Sequence, residues 1–292
     1  MSGITIVEVG PRDGLQNEPR AIPVASKVAL IDRLSACGFR RIEAASFVSP
    51  KWVPQMADGA AVMAAIARRP GTVYSALTPN LKGYEAARAA GADEVAIFGA
   101  ASETFSRRNI NASIAESLER FRPVADAARA DGLPLRGYVS CVVVCPYEGA
   151  IAPEAVARVT EALFAMGCHE VSLGDTVGRG TPESIGAMLD AVLSVAPAER
   201  LAGHYHDTNG RALESVAVSV ARGLRVFDSA IGGLGGCPYA PGAKGNLSTM
   251  KLANWCAENG HRTGLDMEGL AAAERFVAEL RRDLDALPDD PA

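Results

Sequence analysis

Two of the four histidines stand two positions apart, in the stretch His204-Tyr205-His206-Asp207. Alternate residues of a β-strand point to the same side, so the two imidazoles would project together from a strand that ends here. Imidazole nitrogens are common ligands of divalent metal ions. The pattern predicts a metal site, and the alternative is that His204 caps a helix and His206 is an ordinary surface residue.

A charged pair follows the first apolar run of the chain. The segment VEVGPRDGLQ, residues 7–16, is typical of a buried strand up to Gly10-Pro11 and then continues with Arg12, Asp13 and Gln16. Why a strand with a core pattern should end in charge depends on the elements around it.

A glycine-rich stretch later in the chain carries a thiol. It runs GGLGGCPYAPGAKGN over residues 232–246, and its one reactive group is Cys237. The glycines allow the backbone to move or to lie close to a ligand, which is typical of a gating loop. The spacing of a phosphate-binding P-loop is not met. The alternative for Cys237 is an ordinary small apolar residue.

The elements that must position these residues repeat along the chain. Short β-branched runs alternate with longer helical patterns, which is typical of βα units and a parallel sheet. Eight strands are predicted: ITIVEV from residue 4, RIEAAS from 41, TVYSAL from 72, EVAIFG from 94, LRGYVSC from 135, EVSLGD from 170, LAGHYH from 201 and VFDSAI from 226. The predicted helices include residues 24–37, 80–90, 114–130, 153–166, 182–195 and 212–222, several of them followed by a glycine at the C-cap position. Eight such units in 292 residues predict an α/β fold, a (β/α)8 TIM barrel, rather than an open doubly wound sheet.

The whole chain is predicted to form one catalytic domain. The barrel would span about residues 4–260, an additional C-terminal helix about 265–283, and a frayed tail 287–292. The sequence leaves no room for a second catalytic domain.

Composition excludes several classes of function. A formal net charge of −5 and the lack of any basic run argue against binding to the phosphate backbone of nucleic acid. No apolar stretch approaches the length that spans a membrane, and the N-terminus lacks a signal or transit pattern. The six scattered cysteines contain no CxxC, which suits free thiols in a reducing compartment. We therefore expect a cytoplasmic location.

The polar candidates fall where barrel chemistry belongs, at the carboxyl ends of the strands. Arg12 and Asp13 follow the first strand, Glu43 and Ser46 lie in the second, Asp175 ends the sixth, and His204 and His206 end the seventh. The first strand therefore ends in charge because that end faces the predicted active site.

Seven motifs, in order and each at a predicted strand end, carry a resemblance to a known family: VEVGPRDGLQNE, IEAASFVSPKWVPQM, VAIFGAASETF, GYVSCVVVCPYEG, VSLGDTVGRGTP, HYHDTNG and GGLGGCPYAPGAKGN. From about Ile4 to Gly264 the chain resembles 3-hydroxy-3-methylglutaryl-CoA (HMG-CoA) lyases, which belong to a superfamily of metal-dependent TIM-barrel lyases. The resemblance implies cleavage of a branched 3-hydroxyacyl-CoA substrate, to acetyl-CoA and acetoacetate in the family's named reaction, with bound Mg²⁺ or Mn²⁺.

The resemblance also implies roles for individual residues. The metal ligands would be Asp13, His204, His206 and Asn246. Arg12 would stabilise the enolate oxygen, Cys237 would protonate the enolate carbon, and His204 would relay the hydroxyl proton. Gln16, Glu43 and Asp175 would join Arg12 in substrate binding, or would instead orient Arg12 and the ligands. Arg107 and Arg108 would meet the CoA phosphates, or form a solvated basic pair.

Several features depart from the pattern of the better-known lyases and leave alternatives open. Tyr205, Asn209, the pair Met250-Lys251 and Pro19 stand where other residues are common, so the acyl pocket is expected to differ. A longer 3-hydroxy-3-alkylglutaryl-CoA competes as substrate, and the pathway, leucine degradation or isoprenoid catabolism, stays open. An acetyl-CoA-dependent condensing enzyme and a non-catalytic metal- or CoA-binding protein are the remaining functions. A homo-oligomer such as a dimer is also open.

Overall fold

Eight parallel strands close into a barrel, as the sequence predicts. In chain order, the strands of this computed structural model are β1 Thr5–Glu8, β2 Arg41–Ser46, β3 Val73–Leu77, β4 Glu94–Ala100, β5 Leu135–Ser140, β6 Val144–Cys145, β7 Gly149–Ala150, β8 Glu170–Asp175, β9 Leu201–Tyr205, β10 Val226–Ser229, β11 Gly236–Cys237 and β12 Ala240–Lys244. The barrel order is β1-β2-β3-β4-β5-β8-β9-β10, and β10 pairs with β1 to close it. The prediction of a TIM barrel is confirmed.

Most helices lie between the barrel strands along the chain, and the last two follow β10. They are α1 Val24–Ala36, α2 Gly59–Ala65, α3 Leu81–Ala89, α4 Glu103–Ile110, α5 Ile114–Asp131, α6 Pro153–Met166, α7 Pro182–Val192, α8 Ala212–Ala221, α9 Thr249–Glu258 and α10 Met267–Asp285. The structure describes residues 3–237 and 240–286, and within these ranges it describes the backbone alone at 236–237, 240–244 and 285. The predicted tail, 287–292, lies outside the described residues.

Helix ends follow from local sequence. Ser113 accepts a hydrogen bond from the amide of Glu116, whose side chain accepts from the amide of Ser113, so α5 begins with a reciprocal cap. Helices α5 and α6 end at Gly132 and Gly167, which adopt the left-handed conformation with φ of 66° and 106°. These ends return the chain to the next strand after two or three residues.

Some elements differ from the prediction. The helices α2 and α4 and the antiparallel hairpins β6–β7 and β11–β12 were not among the predicted elements, because each is short. Strand β9 ends at Tyr205, and His206 instead forms an isolated bridge with Asn246. The sequence predicts that the apolar side chains of Trp52, Met56 and Met63 pack within helices or loops. Met56 and Met63 are buried, but Trp52 is 85% exposed, so the prediction is wrong for Trp52.

The apolar core fills the space between the barrel and its helices. The C-terminal helix α10 packs on α1 and on the turn Ile231–Gly233, and it buries Leu270, Ala273 and Val277. No helix in the described ranges is long and apolar enough to cross a membrane.

Candidate active site and metal centre

A tight turn after β1 sets the position of Arg12 and Asp13. The carbonyl of Val9 accepts the amides of Arg12, Asp13 and Gly14 at 3.2, 2.7 and 3.3 Å, and the segment Gly10–Gly14 forms one π-helical turn. A Cβ atom on Gly14 would lie 2.6 Å from the Cβ of Leu234. The glycine therefore permits the close approach that places two charged residues directly after a buried strand.

Arg12 is held between two carboxylates. Its Nε donates to Oε2 of Glu43 at 2.6 Å, and its Nη1 donates to Oδ1 of Asp13 at 2.6 Å. Gln16 donates to the same oxygen of Asp13 at 2.9 Å. The structure thus brings together four residues that the sequence placed at the site, and the guanidinium is fixed before any ligand binds.

Asp13 faces the two histidines. One potential ligand atom from each of Asp13, His204 and His206 lies within 4.8 Å of the others. Nε2 of His204 is 3.8 Å from Oδ2 of Asp13, and the two imidazole centroids are 5.4 Å apart. The alternative in which His204 caps a helix is wrong, because His204 lies in β9.

Asn246 completes the group that the resemblance implies. Its side-chain nitrogen donates to Oδ2 of Asp13 at 2.8 Å and to the carbonyl of Leu234 at 3.1 Å. A Cβ atom on Gly235 would lie 2.8 Å from that nitrogen. The first glycines of the glycine-rich stretch therefore let the backbone pass close to the site.

The electrostatic environment separates the protonation states of these groups. Burial would raise the pKa of Asp13, but the charge of Arg12 and the neighbouring His204 outweigh it and lower this pKa to about 2. Burial and the neighbouring His204 lower the pKa of His206 to about 4. At neutral pH the site therefore offers an ionised carboxylate and a neutral imidazole, which are the forms that bind a metal ion.

The donor set fits a divalent cation. The buried Nδ1 atom of the half-buried His206 has no hydrogen-bond partner in the described part of the chain. Oxygen and imidazole ligands without a thiolate favour Mg²⁺, Mn²⁺ or a similar ion over structural Zn²⁺. The cluster can therefore hold a divalent metal ion.

Asp175 lies at the end of β8, but its carboxylate is engaged by its own loop. It accepts the amides of Gly180 at 2.7 Å and Arg179 at 3.3 Å. Burial raises the pKa of Asp175, and these amides oppose that rise. The carboxylate of Asp175 therefore holds its own loop in place, and its predicted role in binding substrate or in orienting Arg12 and the ligands stays a prediction.

Cys237 and Arg108 are the remaining residues with a predicted role. The backbone of Cys237 pairs with Ala240 in the hairpin β11–β12, but its side chain lies outside the described part of the structure. Arg108 in α4 stacks over the ring of Tyr147, with 4.4 Å between the guanidinium carbon and the ring centroid. The predicted roles of Cys237 and Arg108 stay predictions.

Sequence reasoning missed three buried polar residues inside the barrel. Arg136 and Tyr138 alternate in β5, and Asp228 lies in β10 beside His204. The available signal was a charged residue within an apolar strand pattern, in LRGYVS and in VFDSAI. Such residues face the barrel interior, where branched apolar side chains are usual.

The fold and the site together define a (β/α)8-barrel enzyme with a cluster of carboxylate and imidazole side chains that can hold a divalent metal at the carboxyl ends of its strands. The chain belongs to the HMGL-like family, whose model matches residues 3–277. The resemblance to HMG-CoA lyases that its motifs indicate is confirmed.

Named relatives match nearly the whole chain. The mitochondrial hydroxymethylglutaryl-CoA lyase of Bos taurus is 55% identical over 276 residues, covering 94% of this chain and 85% of that protein. The 3-hydroxy-3-isohexenylglutaryl-CoA/hydroxymethylglutaryl-CoA lyase of Pseudomonas aeruginosa is 55% identical over 278 residues, covering 95% and 93%. The crystal structure of the HMG-CoA lyase from Brucella melitensis superposes with a TM-score of 0.96 at 62% identity, covering 97% of this chain and 100% of that one.

Proposed function

We propose that the protein is a carbon–carbon lyase that cleaves HMG-CoA into acetyl-CoA and acetoacetate. The observation that carries the proposal is the convergence of Asp13, His204, His206 and Asn246 beside a fixed Arg12, in a chain of this family. A solved HMG-CoA lyase from Acinetobacter baumannii, with a TM-score of 0.91 and 38% identity over 96% of this chain and 92% of that one, contains coenzyme A and 3-methylmalate. That complex supports an acyl-CoA substrate here.

The four converging residues would hold Mg²⁺ or Mn²⁺. The ion, when bound, supplies Lewis-acid polarisation that lowers the pKa of the C3 hydroxyl of the substrate. Nδ1 of His204 faces Asp228 at 3.2 Å, which leaves Nε2 for the ion. We therefore assign His204 as a ligand in preference to its predicted second role as a proton relay.

Arg12 stabilises the charge that develops when the bond between C2 and C3 breaks. The C3 hydroxyl proton passes to solvent, C3 becomes the ketone of acetoacetate, and the electron pair of the broken bond passes to the thioester enolate, which then takes a proton at C2 to give acetyl-CoA. A guanidinium has five N–H donors. Nε and Nη2 of Arg12 both lie 2.6 Å from Oε2 of Glu43, and Nη1 donates to Asp13, so one donor on each Nη remains for the enolate oxygen. Because Glu43 and Asp13 fix Arg12 in advance, little reorganisation is needed in the transition state.

Cys237 is the proposed acid that protonates the enolate carbon. Its place in the hairpin β11–β12 supports this role, since the preceding segment at Gly235 approaches both Gly14 and Asn246. Closure of this segment over the site would exclude water from the enolate.

Metal removal tests the proposal directly. Exhaustive chelation should abolish acetyl-CoA release from HMG-CoA, and added Mg²⁺ or Mn²⁺ should restore it, with metal content followed by elemental analysis. Unchanged circular dichroism after chelation is the control for folding. Full activity in verified metal-free protein would contradict the metal-dependent mechanism, and no cleavage at any metal concentration would contradict the lyase assignment.

A second candidate substrate is a longer 3-hydroxy-3-alkylglutaryl-CoA. The named activity of the Pseudomonas aeruginosa relative favours it, because that protein is 55% identical to this chain. A comparison of kcat/KM for HMG-CoA and 3-hydroxy-3-isohexenylglutaryl-CoA decides between them. A higher value for the longer substrate would make it the preferred one.

A further inference from the structure

Asp228 lies directly beside the metal-site histidine. Strands β9 and β10 pair in parallel with His204 opposite Asp228, so the two side chains lie on the same side of the sheet. Oδ2 of Asp228 is 3.2 Å from Nδ1 of His204. Asp228 is only 2% exposed, so this contact is sheltered from water.

Two other strands fix the carboxylate of Asp228. Arg136 in β5 donates from Nη2 to Oδ1 at 2.7 Å and from Nη1 to Oδ2 at 3.2 Å. Ser172 in β8 donates to Oδ2 at 2.7 Å. Both oxygens are therefore held by donors that do not belong to the metal site.

Arg136 has its own anchors within the barrel. Its Nε donates to Glu170 at 2.8 Å, and Glu170 also accepts from Arg41 at 2.8 Å. Nη1 donates to the hydroxyl of Tyr138 at 2.7 Å. Loss of Asp228 would therefore leave Arg136 paired with Glu170.

A buried ion pair of this kind needs a reason other than stability. Burying charge costs solvation energy that the attraction between the partners only partly returns, and apolar residues of similar size often serve stability as well. A carboxylate on the distal nitrogen of a metal-binding histidine has a specific use, because it orients the ring and fixes its tautomer.

We infer that Asp228 is a positioning residue for the metal centre. It accepts the proton of Nδ1 of His204 and so keeps the lone pair on Nε2, the nitrogen that faces Asp13. Arg136 and Ser172 hold Asp228 in place for this contact. The inference rests on the proposed metal site and extends it by a residue outside the ligand set.

The test is Mn²⁺ binding to metal-free protein, measured by electron paramagnetic resonance in the absence of substrate. Asp228→Asn should weaken binding by about 10- to 100-fold, the usual cost of losing such a partner. With Arg136 still directed at the amide oxygen, the amide nitrogen would face His204 and favour the tautomer with its proton on Nε2. That tautomer cannot bind the ion through Nε2.

Glu170→Gln is the matched control. It removes a second carboxylate from the same Arg136, and within the described part of the chain Glu170 makes no hydrogen bond to His204. Mn²⁺ affinity should therefore stay within about twofold of wild type, a change worth under about 0.5 kcal/mol. Thermal unfolding of both variants separates a loss of folding from a loss of binding. Equal Mn²⁺ affinity in Asp228→Asn and wild type, or equal weakening in the two variants, would overturn the inference.

A measurement on the wild-type protein does not depend on the variants folding. Long-range proton–nitrogen spectra of the nitrogen-labelled, metal-free protein at alkaline pH should show His204 with its proton on Nδ1. A proton on Nε2 would overturn the inference. Failure of the wild-type protein to bind Mn²⁺ at all would instead count against the proposed function, so the two failures are distinguishable.

Discussion

Arg12 carries the clearest prediction at the scale of single residues. Replacing it by Gln removes the fixed donor for the enolate oxygen, so kcat should fall by about two orders of magnitude or more. Its buried partner Glu43 loses its cation as well, so the melting temperature should fall too. Arg41→Gln is the control, because Arg41 is a barrel arginine that pairs with Glu94 and Glu170 away from the metal site.

Steady-state kinetics and thermal unfolding of the two variants separate catalysis from stability. Both should lose stability, and only Arg12→Gln should lose turnover by this factor. If kcat falls equally in both, Arg12 acts through the fold and its role at the enolate is wrong.

Cys237 should be the thiol that a soluble alkylating reagent modifies. The other five cysteines are all buried, and burial raises the pKa of Cys37 to about 11 and that of Cys168 and Cys256 to about 12. Thiolates form rarely at such sites, so these cysteines should react slowly.

Three measurements test the role of Cys237. Peptide mapping should find the label on Cys237, and substrate should protect it. The variant Cys237→Ser should slow turnover strongly with Mn²⁺ binding retained. Rapid inactivation through Cys141, or full activity in Cys237→Ser, would refute the acid assignment.

At the scale of elements, Glu8 joins the end of β1 to two neighbours. Oε1 accepts the amides of Gly10 and Ile231, each at 2.9 Å, and Oε2 accepts from Thr249 at the start of α9 at 2.6 Å. Burial raises the pKa of Glu8 to about 7, although these donors oppose the rise. The fold therefore binds a proton here more tightly than the unfolded chain does.

Ionisation of Glu8 should destabilise the fold as the pH rises. Stability from this raised pKa is fully present below the ordinary carboxyl pKa and is lost as pH rises through about 7. Wild type should therefore lose about 2.5 kcal/mol of unfolding free energy between pH 5 and 8 that Glu8→Gln retains. Urea unfolding across this range measures the difference, and the exposed Glu116→Gln should follow wild type. Parallel slopes for wild type and Glu8→Gln would show that Glu8 is ionised throughout.

The elements were predictable where local pattern decides. Strand β2 and helix α6 were predicted with their observed ends, because a β-branched run or an apolar stripe is bounded there by loop residues or a glycine. His204 and His206 were found by their spacing and Asp13 by its place after a strand. The partnership of Asp228 with Arg136 was not predicted, because 92 residues separate them and only barrel closure brings them together. The prediction that Trp52 packs against other residues was wrong, because an apolar residue type alone does not determine burial.

At the level of the whole molecule, the C-terminal helix α10 contacts segments at the active-site end of the barrel. Val277 lies under the glycine turn after β10, where a Cβ atom on Gly232 would be 3.4 Å from its Cγ1. Arg281 pairs with Glu18, two residues after Gln16 in the segment that follows β1. Helix α10, which the sequence predicts as an addition to the barrel, thus contacts the segment after β10 and the segment after β1.

Leu270 tests how much the barrel depends on this helix. It is fully buried against the core, so Leu270→Ala should lower the free energy of unfolding by about 2–5 kcal/mol through lost burial and a residual cavity. Met267→Ala is the matched control, since Met267 opens the same helix but is 37% exposed and should change stability by less than about 1 kcal/mol. Urea unfolding followed by circular dichroism gives both values. A single unfolding transition that shifts as a whole in Leu270→Ala would show that α10 and the barrel unfold together. An unchanged midpoint, or a separate early transition, would show that the barrel is stable without α10.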